Sequence, residues 1–160
     1  ITLATTLEAH GNYFHGLHDM LVTVRGAKNV SLCGSSNKPG ELRMKKQDYL
    51  AKDTTTGTPL YNHSEWRHAL GIYDSSDVHV AHLLIAWAGG DGIYVDGLTS
   101  ATIVNVHVNQ SYRNAMSIIS ATNLLVSDCL FASESQHPHP GRSVTTAELE
   151  AALCEKLVRP

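Results

Sequence analysis

Charge and aromatic rings are both scarce in this sequence: 17% of its 160 residues are Asp, Glu, Lys or Arg, and 6% are Phe, Trp or Tyr. With a net charge of −3 there is no global basic surface, which excludes nucleic acid as an expected partner. No apolar run approaches ~18 residues, so no transmembrane helix and no membrane partner are expected. The three cysteines, Cys33, Cys129 and Cys154, are odd in number and lack metal-ligand spacing. They make neither a disulfide framework nor a zinc site and read as small buried apolar side chains. The ten histidines are many, yet His79, His82 and His107 share no ligand spacing, and "QHPHP" at 136–140 supplies two without a third. The expectation is no metal. No Met and no leader open the chain, so it reads as a fragment or processed chain whose missing leader says little about secretion.

What the sequence does contain is a repeat. The segments "LGIYDSSDVHVAHLLIAW" from Leu70, "IYVDGLTSATIVNVHVNQ" from Ile93 and "MSIISATNLLVSDCLFAS" from Met116 start 23 residues apart. Aligned without gaps, they match Leu70/Ile93/Met116, Ile72/Val95/Ile118, Val80/Ile103/Val126 and Ile85/Val108/Phe131, and every column is apolar. Val22, Val24, Val30 and Leu32 keep the same internal spacing in an earlier unit, followed by an insertion over about residues 35–67. Within each unit apolar residues alternate, which is strand periodicity with one buried face. Three short strands separated by turns make one winding of a coil. Stacked windings pair in parallel at ~4.8 Å, so like residues sit on like residues. A helical solenoid would need three- and four-residue spacing over ~34–40 residues, and neither is present. The expected fold is all-β: a solenoid of about four coils spanning residues 1–135.

One column expected to face inward is polar: His82, Asn105 and Asp128. A ladder holding turn backbone and a ligand column are the two readings, and the ladder is the more ordinary. With this ladder, and with "GGDGIYV" followed 23 residues later by "RNAMSII", the chain resembles the right-handed parallel β-helix (pectin-lyase-like) proteins. "GELRMKKQDY" and "SEWRHAL" look similar to uncharacterised secreted members of that superfamily. The resemblance implies right-handed coils, an extracellular or secretory location, a monomer, and a polysaccharide or glycan as partner. For reaction it implies less, because the fold carries lyases, hydrolases, epimerases and non-catalytic adhesins.

"GGDG" reads as the turn entering the first strand of a coil, its glycines permitting tight or positive-φ backbone. No Lys-Ser/Thr follows, so it is no phosphate loop. A lone GDG is a weak calcium signal, and no other cofactor is expected. Counting by 23, Asp91 stacks on His68 and Asn114, with Arg67 and Arg113 in the same turn. These five should cluster at one edge of the first sheet. They have the ingredients of acid–base chemistry, and equally of an ion pair tying coils together. Asp74 and Asp96 form an alternative carboxylate pair, or solvated turn residues. Tyr73 and Tyr94 are expected outward and stacked, as a platform for sugar rings or as packing under the insertion.

Polygalacturonase-type hydrolases carry "GDD" at such a turn. Here Asp91 matches the second aspartate, Gly90 replaces the first, and Asn114 stands where a histidine would be sought, which puts that mechanism in doubt. Any grip on an anionic chain is expected from the insertion, through Lys38, Arg43, Lys45, Lys46 and Lys52. Residues 136–160 break the pattern. "TTAELEAALCEKLV" predicts a helix with a Thr145/Glu148 capping box and an apolar face of Leu149, Ala152, Leu153 and Leu157. It reads as a cap on the solenoid or as an aberrant ending. The two function classes are a lyase- or hydrolase-like enzyme centred on Asp91 and a non-catalytic glycan-binding or structural repeat module.

Overall fold

The computed structural model describes residues 1–10 and 14–132. The predicted helix, "QHPHP" and Cys154 lie outside these residues. Among the described residues nine strands make the frame: β1 (Thr6–Glu8), β2 (Val22–Arg25), β3 (Lys28–Cys33), β4 (Gly40–Arg43), β5 (Leu70–Ala86), β6 (Ile93–Asn109), β7 (Met116–Ile118), β8 (Ala121–Ser127) and β9 (Leu130–Ala132). One short helix, α1 (Lys46–Leu50), lies between β4 and β5. Every pairing between these strands is parallel. The result is an all-β, solenoid-like stack of four layers: β2–β3–β4, then β5, then β6, then β7–β8–β9, with β1 beneath β4.

The register follows the apolar columns. Ile72 pairs with Val95 and Val95 with Ile118; Val80 pairs with Ile103 and Ile103 with Val126; Ile85 pairs with Val108 and Val108 with Phe131. Each partner lies 23 positions further along the chain. Ile72, Val95, Val80, Ile103, Ile85 and Val108 are all essentially inaccessible and belong to one continuous core. β2 and β3 join β5 as expected, Val22 on Leu70 and Val30 on Val78.

β5 and β6 are long by hydrogen bonding but bent. Asp77, Ser100 and Asn123 all have positive φ, as do His82, Asn105 and Asp128, and Trp87 and Gln110. Each set recurs at intervals of 23. One left-handed residue re-aims the chain; the corner pair drops out of the ladder and the same register resumes beyond it, so corners stack as the columns do. His82 and Asn105 are half-buried corner residues joined by Asn105 Nδ2 and His82 Nδ1 at 2.8 Å, while Asp128 is exposed. The polar column, expected to face inward, is instead a row of corners at the surface of the stack, because each residue sits at a left-handed bend.

The insertion comes in two pieces. β4 continues the first layer by pairing Gly40–Arg43 with Leu83–Ala86. A tight turn at Ser35–Lys38 precedes it, and the longer excursion follows it. α1 seats that excursion on the stack: Lys46 Nζ donates to the Ser111 carbonyl at 3.1 Å, and Tyr49 packs against Gly89.

Candidate functional site

The residues singled out around Asp91 occupy the turn that leads into the first strand of each layer. Stacking brings 68, 91 and 114 together. The Asp91 N–H donates to His68 Nδ1 at 2.9 Å, and the Asn114 N–H donates to Asp91 Oδ1 at 3.0 Å. Each side chain therefore takes up the main-chain N–H one layer on. Arg113 closes the cluster: its Nε donates to Asp91 Oδ1 at 3.0 Å, and its Nη1 lies 3.6 Å from Glu65.

The side chains of His68 and Asp91 are both 0% exposed. Because Nδ1 of His68 accepts a hydrogen bond, the ring is neutral with its proton on Nε2. Burial, with Arg113 and His18 nearby, lowers its pKa to about 4. The 3.9 Å approach of His68 to Asp91 is therefore contact between a neutral ring and a carboxyl group, not an ion pair. Burial raises the Asp91 pKa, opposed by the Ser117 hydroxyl, the Asn114 N–H and Arg113. Its Oδ2 and His68 Nε2 are buried without a full hydrogen bond.

Arg67 does not join the cluster. It is buried and turns the other way, donating to the carbonyls of Gly16 (3.0 Å), His15 (3.2 Å) and Asn62 (3.0 Å), with its guanidinium 4.8 Å from the Tyr49 ring centre. A guanidinium has five donors in a rigid fork, and here the fork clasps two chain segments to the stack. Tyr49, pushed up to about 12 chiefly by burial, stays a neutral phenol beneath it. Asn114 offers only its main chain to Asp91, and its amide donates to Ser117 Oγ.

The glycines of "GGDG" serve close approach rather than left-handed backbone, and none of the three has positive φ. A Cβ on Gly89 would meet the Tyr49 ring, and one on Gly90 would strike the Glu65 carbonyl.

Tyr94 is 6% exposed, so it is packing and not a surface platform. It stacks on His68 at 4.6 Å between ring centres, with Tyr73 at 5.6 Å and Trp66 at 5.7 Å. Tyr73 is half-buried, donates to Met20 Sδ, and carries the Arg25 guanidinium at 4.0 Å. The exposed ring is Trp66, at 41%, with His18 at 5.8 Å. Ser64 places it, donating to the Leu17 carbonyl and accepting the Trp66 N–H. Sequence reasoning quoted Trp66 and gave it no role. Periodicity could not select it, because it lies outside the repeat.

The alternative carboxylates part ways. Asp74 sits at a left-handed corner against Gly97, whereas Asp96 Oδ1 accepts from Ser120 Oγ, which accepts the Gly97 N–H. Three of the insertion's five cations are engaged: Arg43 with Glu41, Lys45 with Glu8, and Lys46 buried on the Ser111 carbonyl; Lys38 and Lys52 are exposed. Among the described residues no group of three His, Cys, Asp or Glu is placed to hold a metal ion. Comparison with protein-family models, with curated proteins and with solved structures found no match.

Proposed function

We propose that this chain is a right-handed parallel β-helix of the pectin-lyase-like kind that binds an extracellular polysaccharide and holds it without cleaving it. One contrast carries the reading: Asp91 and His68 are fully enclosed, while Trp66 on the same side stands 41% exposed. A general acid or base must come within hydrogen-bond reach of its substrate. A carboxylate with no accessible surface, bonded to Arg113 and the Asn114 N–H, serves better as a tie between layers. Trp66 offers an apolar face for a sugar ring, with the His18 ring beside it and Glu65, which lies 3.6 Å from Arg113, preceding it in the chain.

Two measurements test this. Polysaccharides added to the full chain should change tryptophan fluorescence saturably, and Trp66→Ala should abolish the response while Trp87 remains. Screening the same polysaccharides for new reducing ends or unsaturated products, with and without chelator, should detect none. Turnover that vanishes in folded Asp91→Asn would restore the enzyme reading and overturn this one.

A further inference from the structure

A groove lies elsewhere on the stack, against the last strand of each layer, and no residue singled out around Asp91 or Trp66 lines it. Its volume is about 380 Å³, within the ~300–1,000 Å³ typical of small-molecule sites. Register builds it. Thr6 pairs with Glu41, Glu41 with Leu84, and Leu84 with His107, so these four form one row across β1, β4, β5 and β6. At ~4.8 Å per strand, Glu41 and His107 stand about 9–10 Å apart along the backbone with Leu84 between them.

Both walls are fixed. On one side Ser35 and Lys38 exchange main-chain hydrogen bonds at 3.1 and 3.2 Å, which sets Lys38 and Pro39 over the floor. Gly34 anchors that turn, because an added Cβ would strike the Gly40 nitrogen and the His82 carbonyl. On the other side Thr6 is held by the pairing of β1 with β4, and the Thr5 carbonyl accepts the Glu41 N–H at 3.5 Å. Asn105, fixed at its corner by His82, closes the end beside His107.

The lining selects its occupant. Leu84 and Pro39 give an apolar floor; the Thr5 hydroxyl and the His107 imidazole can both donate and accept, while the Thr6 hydroxyl and the Asn105 amide each already make one hydrogen bond, to Glu41 and to His82. The Glu41 carboxylate already takes the Thr6 hydroxyl at 2.9 Å and Arg43 at 2.5 Å. The lining carries both signs, Lys38 and a Glu41 already paired with Arg43, so an ion of either charge meets repulsion as well as attraction. We infer that the groove binds a neutral, hydroxyl-rich ligand of one or two rings, a mono- or disaccharide. Hydroxyls would meet the mixed donors and acceptors, and the C–H face would rest on Leu84. The inference is independent of the Trp66 reading and stands if that reading falls.

The experiment titrates the ¹⁵N-labelled full chain with cellobiose and maltose, and with glucuronate and glucosamine as charged probes. At least one neutral disaccharide should shift the amides of Thr6, Glu41, Asn105 and His107 saturably. His107 is exposed, so His107→Ala should fold normally and weaken binding about tenfold or more. Trp66→Ala should leave it unchanged. Four results would each overturn the proposal: no saturable shift from either disaccharide to ~10 mM, affinity indifferent to His107→Ala, loss of binding in Trp66→Ala, or tighter binding of a charged probe.

Discussion

At the scale of single residues, Asp91 is a hydrogen-bond relay whose worth is measurable. Asp91→Ala removes the acceptor of the Arg113 and Asn114 donors from a buried position. Charged hydrogen bonds contribute ~1.5–3 kcal/mol each, and Arg113, 26% exposed, recovers part of its loss in water. Stability should fall by about 2–4 kcal/mol in urea unfolding. Asp91→Asn keeps a carbonyl acceptor and should cost about half as much. His68 gives the pH dependence. Its folded pKa of about 4 lies below the ordinary 6.5, so the unfolded chain binds the extra proton between those values. Its contribution is complete above pH 6.5 and is lost as pH falls toward 4, by about 3 kcal/mol. Asp91 acts in the opposite sense: its raised folded pKa favours the folded state at low pH, an advantage lost as pH rises through the raised value. In His68→Asn the fall in stability between pH 6.5 and 4 should shrink, and an unchanged profile would remove His68 as its source. Counting by 23 did identify His68, Asp91 and Asn114 as neighbours. It could not show that the turn is sealed, because Glu65, Trp66 and Tyr49, which cover it, come from a stretch with no repeat.

At the scale of elements, the corners are the decisive devices. A non-glycine residue in the left-handed region costs roughly 1 kcal/mol over glycine, less for Asn or Asp. Ser100 occupies such a corner with φ 56°. Ser100→Gly should raise stability by about 0.5–1 kcal/mol, whereas β-branched Ser100→Val should lower it by at least as much. Thermal melts of the two variants give the comparison, and equal shifts would discount the corner strain. The strands themselves were legible because burial leaves an alternating pattern in the sequence. The corners were less so: glycine was expected to mark tight backbone, yet Asp77, Ser100, His82, Asn105 and Trp87 turn the chain, and "GGDG" turns nothing left-handed. β4 was hidden inside the insertion because its four residues are too few to show a period. The clasp on the excursion after β4 was hidden as well, since a lone Arg67 among loop residues carries no pattern. Arg67→Met should free that excursion and raise protease cleavage around Asp53–Thr58, with the strands still protected. Cleavage no faster than in the parent chain would show that Tyr49 and Lys46 suffice.

At the scale of the whole molecule, stability is set by nearest layers. A stack in which each layer touches only its neighbours behaves as a quasi-one-dimensional array, so the same side chain is worth more when it has neighbours on both sides. Ile72, Val95 and Ile118 provide the comparison, because they form one column. Ile72 and Val95 are 0% exposed, whereas Ile118, in the last described layer, is half-buried. Removing methyls from an enclosed site costs the transfer term plus a cavity term, and a partly open site avoids most of the second. Ile72→Ala should therefore cost about 3–4 kcal/mol, and Ile118→Ala about 1–2 kcal/mol, although the same atoms are deleted. Amide exchange should show the same gradient, slowest in β5 and β6, where each strand is paired on both sides, and faster in β7–β9, which pair with β6 alone among the described strands. Equal costs at Ile72 and Ile118, with uniform exchange protection, would mean that the column unfolds as one unit and that coupling between layers is far stronger than their contacts imply.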